Sequence, residues 1–280
     1  MEDLRSILIR HGFSFKKQFG QNFISDTNLL RAIVDDAGIT EQTTVVEIGP
    51  GAGTLTRALS ERAKKVVAYE IDKNLQPVLA ETLSGCENVE VIFRDFGKVN
   101  LPEMERELGR YSVVANLPYY VTTPIIMRFV EEAKNCDSIT VMVQEEVAVR
   151  FCSKAGTADY GAVTAAIARK GESRITRRVS RNLFTPRPNV DSAVVRIDFS
   201  EDRIPVLSAK AYRETVRCAF LNRRKTLQNN LVQTFSLSRE QAIGFLQTLG
   251  VDEKARGEVL TPEQLASLSD MLFTAGCIKE

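Results

Sequence analysis

Between a β-branched run and a helix, residues 47–53 read Glu-Ile-Gly-Pro-Gly-Ala-Gly, and this unit constrains the fold more than any other stretch of the chain. The run before it is TTVVEIG (43–49), and LTRALSERA at helical spacing follows. Glycines at 49, 51 and 53 let the backbone turn tightly and approach a ligand that any Cβ would hold off. A nucleotide-like ligand is expected. Position 54 is Thr, so the G-x-G-x-x-G of a pyrophosphate loop is incomplete. No Gly-Lys-Ser/Thr follows, which removes the P-loop as well. The competing reading is a turn that is merely glycine-rich.

The same unit recurs downstream. KVVAYEI (65–71) precedes a helical stretch ending near Leu83, NVEVIF (88–93) precedes an Asp-Phe-Gly turn, and YSVVANLPYY (111–120) precedes TTPIIMRFVEEA. SITVMVQ (138–144) supplies a fifth strand, and S-D-T-N-L-L-R-A-I-V-D-D-A-G from Ser25 is an amphipathic helix with polar caps before it and Gly38 after. Strands alternating with helices predict a doubly wound, mostly parallel α/β sheet with its ligand site at the carboxyl ends of the strands. After YGAVTAAIARK and ESRITRRVSRNLF, the sheet-like SAVVRIDF completes this first domain. From about Pro205 the strand signal stops and helices separated by turns follow. The boundary is expected between Phe199 and Ser208, with a Rossmann-like domain over 1–203 and a small all-α domain over 204–280.

Five scattered cysteines, never spaced C-x-x-C, argue against a disulfide framework and against zinc, and no metal is expected. The start carries acids at positions 2 and 3 and no apolar core, unlike a secretory signal, and no stretch approaches a membrane span. A cytoplasmic protein is the expectation. The net charge is only +1, so any nucleic-acid surface has to show as a local cluster.

Successive strand ends carry the candidate chemistry. Glu70 ends the second strand 17 positions after Gly53, where a carboxylate accepts from both hydroxyls of a ribose; Asp72 is the rival acid and reads better as a helix start. At the third strand end, Asp95 is placed to accept from an adenine amino group, with Phe96 offering a flat face; the alternative is a solvated turn. Glycine loop, Glu and Asp in series form one adenosine-shaped site. The fourth strand ends in Asn116-Leu117-Pro118-Tyr119. The N6 amine of adenine is a poor nucleophile because its lone pair is delocalised into the ring. Two acceptors, the Asn116 side-chain oxygen and the Leu117 carbonyl, would each take one N6 proton, with Pro118 setting the turn and Tyr119 stacking on the base. Attack on a sulfonium methyl follows, so the reading is adenine N6 methylation from S-adenosylmethionine.

These residues resemble the ribosomal RNA adenine dimethyltransferases of the KsgA type over nearly the whole chain. The resemblance rests on KKQFGQNFI (16–24), EIGPGAGTLT (47–56), YEID (69–72), RD (94–95), NLPYYVTTPI (116–125), QEEVAVR (144–150), FTPRPNVDS (184–192) and RRKTLQNNL (223–231). It implies cofactor contacts at Asn22, Ile24, Gly49, Gly51, Glu70, Asp95 and Asn116, with Ile24 replacing the more usual Leu. It also implies that Asn116, Leu117 and Tyr119 handle the target adenine and that Phe184 adds a second stacking face. The implied substrate is a pair of adjacent adenines near the 3′ end of 16S rRNA, within the small ribosomal subunit or its precursor. Each would become N6,N6-dimethyladenosine.

Two basic clusters are candidate RNA surfaces. From Arg169 to Arg187 seven basic residues stand against Glu172 alone, a net of +6, with Arg177, Arg178 and Arg181 at its centre. Arg223, Arg224 and Lys225 form the second, and Lys16 and Lys17 a possible third. The bland reading of each is a solvated face. The rivals are a 23S rRNA methyltransferase of the macrolide-resistance class, which usually has Ile at position 117, a DNA adenine methyltransferase, which typically carries D-P-P-Y or N-P-P-Y, and a non-catalytic assembly factor. Nothing suggests an obligate dimer, and a monomer is expected.

Overall fold

A computed structural model describes residues 4–13, 22–200 and 203–279. The strands are β1 (Phe23–Ile24), β2 (Thr44–Ile48), β3 (Lys65–Glu70), β4 (Val89–Phe93), β5 (Tyr111–Asn116), β6 (Cys136–Gln144), β7 (Gly171–Val179), β8 (Phe184–Thr185) and β9 (Ser192–Phe199). The helices are α1 (Leu4–Arg10), α2 (Thr27–Asp36), α3 (Thr54–Ser60), α4 (Gln76–Thr82), α5 (Leu101–Leu108), α6 (Thr122–Glu132), α7 (Glu145–Phe151), α8 (Ala162–Lys170), α9 (Ala209–Ala219), α10 (Leu227–Phe235), α11 (Arg239–Thr248) and α12 (Pro262–Thr274).

Seven strands form one sheet in the order β4-β3-β2-β5-β6-β9-β7, and β1 pairs with β8 in a separate two-stranded ribbon. The steps from β4 through β6 are parallel, and β9 runs antiparallel to β6. This is the expected Rossmann-like α/β architecture. Successive strands run outward from β2 to β4 on one side and from β5 to β6 on the other. The order therefore reverses between β2 and β5, and the crevice at their carboxyl ends is where such sheets take ligands. Val45, Val46, Val66, Val67, Val113 and Val114 are all buried, as β-branched interior strands covered on both faces must be. Over them, α2 buries Leu29, Leu30, Ile33 and Val34, and Asp26 caps it by accepting from the Leu29 N–H.

The described chain divides into two compact units, residues 4–148 with 174–199, and residues 149–173 with 200–279. Sequence patterning puts 149–173 in the first domain; the structure puts it with the helices. Tyr160 and Ala165 are buried in one apolar cluster with Tyr212, Val216, Leu227 and Leu265, and the Tyr212 hydroxyl donates to the Ala165 carbonyl at 3.0 Å. Those partners lie 40 and more positions downstream, beyond the reach of local periodicity.

Candidate active site

A cavity of the first unit opens at the carboxyl ends of β2, β3, β4 and β5, where the sequence places the chemistry. Gly49, Gly51 and Gly53 have φ of 71°, 58° and 81°, the left-handed region that favours glycine. Their roles then divide. A Cβ on Gly51 would sit 2.8 Å from Phe23 Cε1, and one on Gly53 would sit 2.8 Å from Thr82 Oγ1, so these two are needed for packing. A Cβ on Gly49 meets nothing within 4 Å, and its backbone faces open space in the cavity wall.

Glu70 is buried at the end of β3, with Oε2 accepting from the Gly51 N–H at 3.1 Å and Oε1 from the Asp72 N–H at 2.8 Å. Burial raises its pKa, and the backbone donors pull it back down. With two lone pairs committed, the carboxylate keeps others for a ligand hydroxyl. Asp72 instead caps the turn at Lys73–Leu75, accepting from the Asn74 N–H at 3.1 Å, as its sequence position suggests. Asp95 closes the turn that the sequence offered as one alternative, and it stands at the cavity that the other requires. Its Oδ1 accepts from Gly97 N–H at 2.9 Å, closing the turn, and the residue also lines the cavity. Phe96 lines it too, stacked on Phe129 at 5.5 Å and edge-on to Tyr69 at 5.3 Å between ring centres.

At the end of β5 the Asn116 Nδ2 donates to the Asn22 carbonyl at 3.0 Å. A carbonyl can only accept, so this contact fixes the amide orientation and leaves Oδ1 as the acceptor free for a ligand. Among the described residues no hydrogen bond ends on the Leu117 carbonyl. The Pro118 carbonyl accepts from the Val121 N–H at 3.1 Å and from the Thr122 hydroxyl at 3.2 Å, turning the chain into α6. Tyr119 is half-buried, and its hydroxyl shares a 2.9 Å hydrogen bond with Ser192, a fully buried residue at the start of β9. Spacing gives no hint of Ser192; it lies 73 residues away.

Asn22 and Ile24 also line the cavity, and the Ile24 carbonyl is held by the Thr54 hydroxyl at 2.8 Å. Phe184 is placed differently from the expectation. It is 5% exposed, pairs with Ile24 across the β1–β8 ribbon and packs with Leu29, Leu30 and Val194; it is not among the residues lining the cavity. Its apolar ring satisfies the core, and what it does for the site here is anchor the ribbon that carries Asn22 and Ile24.

The basic run is less uniform than its composition. Arg177 pairs with Asp36 through Nε at 3.1 Å and Nη2 at 3.2 Å, Arg174 pairs with Asp198, and the Arg181 guanidinium donates to the Asn189 carbonyl at 2.6 Å. Arg178 is 74% exposed and, among the described residues, pairs with Glu145 at 3.1 Å, a surface contact of small net worth. Arg187 is exposed. In the helical unit Arg223 is used structurally, donating to Glu258 at 3.2 Å and to the Ala158 carbonyl at 2.8 Å. Lys225 reaches Gln233 at 3.4 Å, and the Arg224 backbone N–H donates to Asn222 at 3.2 Å. Lys16 and Lys17 lie outside the described residues.

The cavity suits an adenosyl sulfonium cofactor on its own chemistry. A bare Gly49 backbone faces it, Glu70 and Asp95 supply acceptors, and Glu47, 1% exposed, holds an unpartnered carboxyl oxygen beside it. Residues 12–273 match the family model described as ribosomal RNA adenine dimethylase. The chain is 47% identical over 277 residues to ribosomal RNA small subunit methyltransferase A of Geobacillus thermodenitrificans, covering 96% of this chain and 94% of that protein. It is 46% identical over 276 residues to the protein of the same name from Bacillus licheniformis, with the same coverage. In fold it is similar to a dimethyladenosine transferase from Plasmodium falciparum, with TM-score 0.79, 23% identity and coverage of 91% and 98%. It is also similar to the 23S rRNA methyltransferase ErmE, with TM-score 0.68, 31% identity and coverage of 90% and 99%.

Proposed function

The chain belongs to the ribosomal RNA adenine dimethylase family, and on that premise we propose that it dimethylates the N6 amines of two adjacent adenines in the 3′-terminal hairpin of 16S rRNA. It is an S-adenosylmethionine-dependent rRNA adenine dimethyltransferase. The observation that carries the reading is the orientation of Asn116, whose amide nitrogen is spent on the Asn22 carbonyl so that its oxygen is left to accept. The cofactor supplies an electrophilic methyl on a sulfonium.

Everything else falls to the protein. Glu70 and Asp95 orient the adenosyl group, and the Asn116 oxygen and Leu117 carbonyl draw the N6 protons aside so that the lone pair points at the methyl. Tyr119, held by Ser192, stacks on the base. No strong base is needed, because the methylated amine is acidic enough to lose its proton to water. Unpaired hairpin bases can be splayed into such a site. The protein acts as a cytoplasmic monomer on the small subunit or its precursor. Higher identity to the small-subunit enzymes than to ErmE favours this substrate over 23S rRNA. Incubation with labelled cofactor and undermethylated small subunits, followed by mass-spectrometric mapping, should put label on two neighbouring adenines of 16S rRNA. Label only in large-subunit rRNA would overturn the substrate.

The Tyr119–Ser192 contact gives a sharper test. Tyr119→Phe and Ser192→Ala each remove the same hydrogen bond and should each slow methyl transfer several-fold with cofactor affinity unchanged. The double variant should be no worse than either single one, since the two residues act as a unit. Additive losses in single-turnover rates would refute the tether.

For RNA contact, Arg178 and Arg187 replace Arg177 as the residues of choice, because Arg177→Glu would set two acids together at Asp36 and damage the fold. Reversing Arg178 and Arg187 to Glu should weaken small-subunit binding about tenfold or more at low salt and reduce the salt slope by about 2. An unchanged slope in filter-binding titrations would move the RNA surface to the Arg224–Lys225 cluster.

A further inference from the structure

Glu47 lines the cavity but has no part in the chemistry above. It sits within β2, flanked in register by Ala68 of β3 and Val114 of β5, neither of which offers it a side-chain donor. From α3 the Thr56 hydroxyl eases its burial without closing a hydrogen bond, and both Glu47 Oε2 and Thr56 Oγ1 remain without a partner among the described residues. The charged group acting on it is Glu70 of β3, which adds a like charge. Burial, the largest effect, pushes the carboxyl up to about 8. A buried acid with an unsatisfied oxygen at a ligand cavity is costly to the empty protein, and a compensating group from the ligand removes that cost.

We propose that Glu47 is the residue by which the cavity prefers the cationic cofactor to its neutral product: it is protonated before binding and gives up that proton as the positive charge enters. The inference rests on S-adenosylmethionine being the cofactor. On binding, the Glu47 O–H bond breaks, the proton passes to solvent, and the carboxylate becomes the counter-charge. When the methyl group leaves, the positive charge leaves with it. The thioether that remains is neutral, the carboxylate recovers a proton from solvent, and the product is held less tightly.

Calorimetric titration of the full chain at about pH 7, in buffers of different ionisation enthalpy, counts the protons exchanged. With S-adenosylmethionine, the native protein should release close to one proton more than Glu47→Gln does; with S-adenosylhomocysteine, the two proteins should behave alike. The sign follows from linkage. The raised pKa makes ionisation costly below pH about 8, so the affinity ratio of cofactor to product should rise about tenfold per pH unit up to there and then level off. In Glu47→Gln the ratio should be flat. Equal proton release in the two proteins, or a flat ratio in the native protein alone, would overturn the proposal, and the second outcome needs no variant. Failure of the native chain to bind S-adenosylmethionine at all would strike instead at the proposed function.

Discussion

Asn116→Ala is expected to lower methyl transfer by about 10²–10³-fold or more while small-subunit binding stays within a few-fold of native. The estimate is that for removing one preorganised polar group from the developing charge of a transition state. Asn116 acts in two directions. In the proposed mechanism its oxygen accepts from the amine, and in the structure its nitrogen holds the Asn22 carbonyl at 3.0 Å. Loss of the second contact should cost cofactor affinity as well, by the worth of one hydrogen bond, up to about tenfold. Asn116→Asp separates the two effects. It keeps an acceptor toward the substrate but turns a second acceptor on the Asn22 carbonyl, so its cofactor binding should suffer more than that of Asn116→Ala. Single-turnover rates on undermethylated subunits and equilibrium dialysis of cofactor measure the two. Normal dimethylation by Asn116→Ala would sink the mechanism.

The largest stability effect is expected in the helical unit, at Gly257. A Cβ there would lie 2.0 Å from the Ala219 carbonyl oxygen and 2.6 Å from its carbon. The obstacle is backbone at the end of α9, and the same carbonyl accepts from Asn230 Nδ2 at 3.3 Å, so it has little freedom to withdraw. Gly257→Ala should cost at least about 3 kcal/mol, a Tm drop of the order of 5–10 °C by thermal circular dichroism. Gly244, inside α11 with nothing within 4 Å of its Cβ position, is the control. There Ala should stabilise by up to about 1 kcal/mol. An unchanged melt for Gly257→Ala would mean that α9 and the Gly257 turn slide apart at little cost.

What the sequence makes legible is local or serial. The β-branched runs at 44–48, 65–70, 89–93 and 111–116 are strands because buried parallel strands are written in one contiguous segment. The site follows for the same reason: residues at successive strand ends converge wherever the sheet is parallel, so Gly49, Glu70, Asp95 and Asn116 share a cavity without any long-range knowledge. Partners that arrive from elsewhere in the chain are invisible to this reasoning. Ser192 behind Tyr119 and Asp36 beneath Arg177 are fixed by tertiary packing, and no spacing announces them. Phe184 shows the converse. Its motif is conspicuous, yet the ring is drawn into the core by Ile24 and Leu29. Glu47 is visible as part of a motif, but the role proposed for it rests on burial and a missing donor, and both arise only on folding.

The helical unit is assembled from two separate stretches, and the chain changes unit after residues 148, 173 and 199. It is therefore not a portable module. Cutting the gene near position 200 would strand Tyr160 and Ala165 on the wrong fragment, stripping the helices of part of their core and leaving apolar surface on the remainder. Any exchange of this unit between related proteins has to carry both stretches at once. Such a part changes by substitution in place and resists recombination.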